Sequence, residues 1–153
     1  MITIKNEQRI VAVNTKQLKA DAKKVLAFLG YDDFDLGILL TTNKRIHQFN
    51  KQYRDKDKAT DVLSFPFHDT LKPGEHIVPE TEEDKNLGDI IIAPEYVRDD
   101  AANWDHTFDQ RMRVLLVHGV CHLLGYDHET DEEYAVMHAQ ESRILSMLAQ
   151  NDS

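Results

Sequence analysis

The segment Val114-Leu115-Leu116-Val117-His118-Gly119-Val120-Cys121-His122-Leu123-Leu124-Gly125-Tyr126-Asp127-His128 is apolar on nearly every side through Leu124 and carries no Asp, Glu, Lys or Arg before Asp127. A helix that is apolar all round lies in the middle of a domain rather than on its surface. Thr107 with Gln110 forms a capping-box signal that predicts where this helix starts, and Thr130 with Glu133 predicts the start of the next. The polar exceptions, His118 and His122, are one helical turn apart. Four residues advance about 6 Å and return to within about 40° of the starting direction, so both imidazoles leave one face and can share a metal ion. A continued helix would point His128 the other way, but Gly125 can adopt the left-handed conformation that ends a helix and swing the chain back. Cys121 is turned about 100° from His122 and reads as a small core residue.

Outward from this segment, Ile2, Ile4 and then Ile10 to Val13 read as strand material. Leu18, Ala22, Val25, Leu26 and Leu29 follow at helical spacing behind Thr15, with Gly30 as the stop. Phe34, Leu36, Ile38 and Leu40 alternate as a half-buried strand, and Ile46, Phe49, Asn50 and Tyr53 share one side of a helix beginning near Thr42. Val62 to Phe67 and Leu87 to Ala93 supply two further β-rich runs. The expected fold is α+β, with a mixed sheet of about four strands packed with helices and a metal site on a buried C-terminal helix and the turn after it. The polar stretch 68–86 reads as a mobile loop that flanks the site or simply meets solvent.

The chain has 153 residues, 41% of them hydrophobic, and one cysteine. One domain spanning 1–153 is expected. A lone cysteine excludes an internal disulfide and makes a reducing, cytoplasmic setting the simplest expectation. The longest uncharged apolar run, Val114 to Tyr126, is far short of the ~20 residues of a membrane span, and Met1-Ile2-Thr3-Ile4 lacks the regions of a signal peptide, so no membrane partner is expected. The net charge of −9 argues against coating nucleic acid by bulk attraction. The charge is unevenly placed: residues 1–60 hold 12 Lys+Arg against 7 Asp+Glu, and the remaining residues hold 6 against 20.

Three neutral nitrogen ligands leave one position of a tetrahedral zinc ion open to water or substrate, the mark of a catalytic rather than a structural ion. Zinc lowers the pKa of water and polarises carbonyl or phosphoryl oxygens, which points to a hydrolase. The spacing His118, His122, Gly125, His128 is similar to that of metzincin peptidases, but their general-base Glu is replaced by Gly119.

The whole pattern His118-Gly119-x-x-His122-Leu123-x-Gly125-x-Asp127-His128 resembles the signature of the YbeY family, bacterial metal-dependent endoribonucleases of rRNA maturation. Two further blocks agree with it: Asn50-x-x-Tyr53-Arg54-x-Lys56-Asp57-Lys58-x-Thr60-Asp61-Val62-Leu63-Ser64-Phe65-Pro66 and Leu87-Gly88-Asp89-Ile90. Ala59 departs from the family, which often has proline there. The resemblance implies hydrolysis of single-stranded RNA, maturation of the 16S rRNA 3′ end and ribosome quality control. It also implies one zinc ion on His118, His122 and His128 and an essential arginine at Arg54. Ribosomal RNA, the ribosomal subunit and ribosome-associated proteins are the implied partners.

An Arg fork can bind a phosphodiester bidentately and stabilise the extra charge of a pentacoordinate transition state, which gives Arg54 a physical role. Lys56 and Lys58 are candidates for tracking an RNA backbone, although Asp55-Lys56-Asp57-Lys58 is equally a solvated charge ladder. Ser64 is a turn or substrate candidate, and Asp127 is a candidate for orienting the turn or a ligand imidazole. Tyr53, Phe65 and Phe67 suit core packing better than base stacking. A metallopeptidase-like hydrolase taking its base from Asp127 or Glu129, and a ribosome-associated binding factor with a structural metal, are the competing readings.

Overall fold

The computed structural model describes residues 1–152; Ser153, the last residue of the span expected to form one domain, lies outside the described residues. The chain runs β1 (Ile2–Asn6), α1 (Thr15–Phe28), β2 (Asp35–Leu40), α2 (Asn43–Arg54), β3 (Val62–Pro66), β4 (Asn86–Ile92), α3 (Pro94–Asp100), α4 (Phe108–Leu123) and α5 (Asp131–Asn151). Helix starts follow local chemistry. Asn14, not Thr15, caps α1 by accepting from the Gln17 amide, and Thr42 caps α2 in the same way through Arg45. Thr107 and Thr130 complete full capping boxes at α4 and α5. Helix α3, which the apolar pattern leaves unmarked, starts where Pro94 takes the first helical turn.

The sheet order is β1-β2-β4-β3, with β1–β2 and β2–β4 parallel and β3–β4 antiparallel, so the expected α+β architecture with a four-stranded mixed sheet is present. Leu36, Ile38, Leu40, Ile90 and Ile92 form one face and pack into the main core with α1, α4 and α5. Leu63, Ile91 and Leu39, on the other face, pack with Ile46 and Phe49 of α2 in a smaller cluster. Edge strand β3 is therefore two-sided: Leu63 and Phe65 join the smaller cluster, while Ser64 sits opposite Ile90 on the main-core face.

Ile10 to Val13 do not extend the sheet. Buried Gln8 takes up their backbone groups instead: its Oε1 accepts from the amides of Ile10 and Val11, and its Nε2 donates to the Val11 carbonyl. A side chain that satisfies these groups removes the need for a strand partner, and Ile10 is left exposed. The 68–86 stretch is tethered as well. Ile77 is buried, its amide donates to the Tyr31 hydroxyl at 3.0 Å, and the His76 ring stacks on Tyr31 at 4.4 Å.

Helix α4 lies directly on the sheet, with Leu116, Val117, Val120, Cys121 and Leu123 fully buried. At Gly119 the approach is so close that a Cβ would stand 2.9–3.1 Å from three side-chain atoms of Ile90. The mid-helix glycine is thus accounted for by close packing of the helix on the sheet. Gly119→Ala is expected to lower unfolding stability by about 1–2 kcal/mol, overpacking outweighing the gain of about 1 kcal/mol in helix propensity. In urea unfolding, Gly119→Ala combined with Ile90→Ala is expected to cost less than the sum of the two single changes.

Candidate metal centre and its groove

His118 and His122 project from the last two turns of α4, and His128 comes from the turn after it. The return is built by a Schellman motif: the Gly125 amide bonds to the His122 carbonyl and the Tyr126 amide to the Cys121 carbonyl, both at 3.1 Å. Gly125 sits at φ +93°, and a Cβ there would overlap the carbonyl oxygen of Leu71. The glycine is therefore required both by its backbone conformation and by the loop lying against it. The Asp127 carboxylate accepts from the His128 amide at 2.8 Å, so it orients the turn.

The three rings form one cluster, with centroid separations of 4.5, 5.0 and 5.5 Å and candidate ligand nitrogens all within 4.8 Å of one another. Their outer contacts reveal which nitrogens face inward. His122 Nδ1 lies 2.9 Å from the Tyr126 carbonyl, which only accepts, so Nδ1 carries the hydrogen and Nε2 is a bare lone pair. His118 Nδ1 lies 2.8 Å from a carboxylate oxygen of Glu141, which places a hydrogen on this Nδ1 as well and turns Nε2 inward. The two Nε2 atoms face each other at 3.1 Å, close enough for one shared hydrogen or, with both bare, for one cation between them. Burial, and secondarily the neighbouring His118, push the pKa of His122 down to about 4, so this imidazole is neutral at pH 7 as a metal ligand must be. Cys121 is fully buried and its thiol is pushed up to about 12 by burial, consistent with a core role.

All the site residues expected from the sequence line one groove of about 700 Å³: the three histidines with Asp127, and Arg54, Lys56, Lys58 and Ser64 from the α2–β3 segment. Arg54 closes α2, donates to the Ser64 carbonyl, and lies over the Phe65 ring at 4.9 Å. Asp55 in the left-handed conformation turns the chain out of the helix. Buried Asn50 holds the following turn, its Nδ2 donating to the Lys58 carbonyl and its own carbonyl accepting from the Lys56 amide. Ser64 Oγ donates to the Gly119 carbonyl at 3.4 Å, tying the edge strand to α4. Tyr53 and Phe65 instead line a second concavity of about 570 Å³ on the far sheet face, with their rings edge-to-face at 5.5 Å. Leu71 brings the 68–86 loop to the rim of the histidine groove.

Two structural partners escaped the sequence pattern. Arg111, buried in α4, pairs with Asp61 at 3.4 Å and packs over Trp104, which anchors the end of the α2–β3 turn. Glu141 of α5 was the second, and its signal was available. It falls on the helical stripe of Met137, Ile144 and Leu148, all buried, where a carboxylate needs a partner.

Gly125→Ala is expected to lose about 2 kcal/mol or more of stability and to weaken divalent-metal binding, as read by thermal melting and by zinc titration. The unfolded chain protonates a histidine near its ordinary 6.5 while folded His122 waits until about 4. The metal-free protein is therefore expected to lose stability as the pH falls through that window and to hold it above. Melts in chelator between pH 4 and 7 check the sign, and His122→Leu should flatten that slope.

Comparison with known proteins extends this geometry to kinship. A family model described as Endoribonuclease YbeY matches residues 3–149. A human protein named Endoribonuclease YbeY is 39% identical over 147 residues, covering 96% of this chain and 87% of its own. One of the same name from a Thermoanaerobacter strain is 35% identical over 153 residues, covering 96% of both chains. The solution structure of TM1509 from Thermotoga maritima superposes with a TM-score of 0.58 at 23% identity, covering 99% of this chain and 93% of that one, a likeness of fold. With the match running from β1 almost to the end of α5, the chain belongs to the YbeY endoribonuclease family.

Proposed function

We propose that this protein is a zinc-dependent endoribonuclease that cuts single-stranded RNA, acting in maturation of the 16S rRNA 3′ end and in ribosome quality control. The observation that carries the reading is the meeting, in one groove, of three convergent imidazoles with Arg54, Lys56 and Lys58. His118, His122 and His128 would hold one zinc ion, which supplies Lewis acidity toward water and a phosphoryl oxygen. Arg54 would place its guanidinium on the scissile phosphodiester and stabilise the charge that builds up in the transition state. Its anchorage to the Ser64 carbonyl and the Phe65 ring holds the fork in place and limits the rotamer freedom lost when substrate binds. Lys56 and Lys58 would meet neighbouring phosphates, and Ser64 would help hold the edge strand that forms the floor.

The groove lining is mixed in charge, so its cations would act as individually placed groups and not by bulk attraction. Arg54, Lys56 and Lys58 come from the α2–β3 segment together with Asp61, while Asp69, Asp127 and Glu129 add three further carboxylates to the lining. So few cations give little sequence discrimination, which favours direction to rRNA by the ribosomal subunit or ribosome-associated proteins. One domain over 1–153 in the cytoplasm is the proposed setting; among the described residues no helix is long and apolar enough to cross a membrane. A peptidase reading is disfavoured by the backbone itself. The position that carries the general base in metzincins is Gly119, and it faces Ile90 of the sheet rather than the groove.

Purified protein supplied with zinc is expected to cleave a single-stranded RNA oligonucleotide and to spare the same sequence in duplex form. Arg54→Ala is expected to lower the rate about 10²- to 10³-fold, and His118→Ala to abolish cutting, with both variants retaining their circular dichroism. Undiminished cutting by both would expose a contaminating nuclease. Turnover of peptides without RNA cleavage would support the peptidase reading, and unfolding on chelation would support a structural metal.

A further inference from the structure

We propose that Glu141 is a positioning residue of the metal centre: by accepting the Nδ1–H of His118, its carboxylate holds that imidazole in the tautomer whose Nε2 faces the groove and strengthens it as a cation ligand. The inference rests on reading the three histidines as a metal site.

Glu141 stands 23 residues from His118, on a different helix, and its oxygen lies 2.8 Å from His118 Nδ1. Its side chain is 17% exposed and that of His118 25%, so the contact is largely withdrawn from water. Among the described residues no lysine or arginine pairs with Glu141; its charged-group contact is with the imidazole. A carboxylate withdrawn from water without a cationic side chain is costly, unless positive charge reaches it through a hydrogen-bonded group. A cation on His118 Nε2 would supply that charge through the ring. Glu141 itself is absent from the groove lining, so it meets His118 from behind and does not touch substrate.

The two half-buried imidazoles differ in this respect. His122 donates to the neutral Tyr126 carbonyl, whereas His118 donates to an anion. His118 is accordingly the stronger donor of the pair, and its strength depends on α5 docking against α4.

The test uses the full chain with zinc as the probe. Zinc affinity is measured by competition with a chromogenic chelator for the natural protein and for Glu141→Gln, Glu141→Ala and Glu141→Met, the last close to glutamate in volume. Long-range ¹H–¹⁵N spectra of the metal-free natural protein report the His118 tautomer. The expected results are an Nδ1–H tautomer at His118, a 10- to 100-fold loss of zinc affinity in the Ala and Met variants, and a smaller loss in Gln, which still accepts the hydrogen bond. A purely structural role would shift the melting temperature of the metal-free variants without this affinity order. If Ala fails to fold, Met and Gln carry the comparison. An Nε2–H tautomer in the natural protein, or apolar variants that bind zinc as tightly as it does, would overturn the proposal. Absence of zinc binding by the natural protein would instead overturn the metal-site reading beneath it.

Discussion

The contact between Gly119 and Ile90 governs the rest of the structure. With no side chain at Gly119, α4 settles onto the sheet until its backbone meets the Ile90 side chain. His118 precedes that point and His122 follows it by three residues, so the same approach that buries the helix sets the height of both imidazoles above the sheet. It also brings the Gly119 carbonyl within reach of Ser64, which joins edge strand β3 to the helix. The α2–β3 segment bearing Arg54 is thereby fastened to the element that bears the histidines. One missing Cβ sets the distance between the two walls of the groove.

The electrostatics of the centre follow from which groups each imidazole touches on its outer side. Tyr126 and Glu141 accept hydrogens, so the Nδ1 atoms are the donors and the Nε2 atoms are the ones that face inward. Burial works in the same direction at His122, where it disfavours the charged ring. Ring nitrogens converging at 3.1 Å form an arrangement that suits a cation. The turn after α4 contributes the third ring by backbone geometry alone, through the left-handed Gly125 and the Asp127 cap on the His128 amide.

The groove combines two unlike halves of the chain. The basic first 60 residues provide Arg54, Lys56 and Lys58, and the acidic remainder provides the histidines with Asp127 and Glu129. With Asp61 and Asp69 also in the lining, the groove sets three cations among four carboxylates, so Arg54, Lys56 and Lys58 matter by position and not as a basic field. The Arg111–Asp61 pair ties the end of the cationic turn to α4, and the Asn50 hydrogen bonds tie the turn to α2. That rigidity suits a guanidinium whose value depends on its position.

The sequence by itself determined the elements whose signals are local: the capping boxes at Thr107 and Thr130, the alternating β2, the buried α4, and the one-turn spacing of His118 and His122 closed by Gly125. These are written in hydrogen bonds and periodicities spanning a few residues, so they are legible without a partner. Ile10 to Val13 misled because a β-rich composition does not reveal that Gln8 will take the backbone groups a strand would share. The 68–86 stretch looked untethered because its anchors, Tyr31 and Gly125, lie far away along the chain. Only the tertiary structure decided that Glu141 stands behind His118, that Arg111 holds Asp61, and that Gly119 faces the sheet rather than a ligand. Each of these is a contact between elements remote in sequence, created when the sheet and helices pack, and no short-range pattern encodes which distant residue arrives.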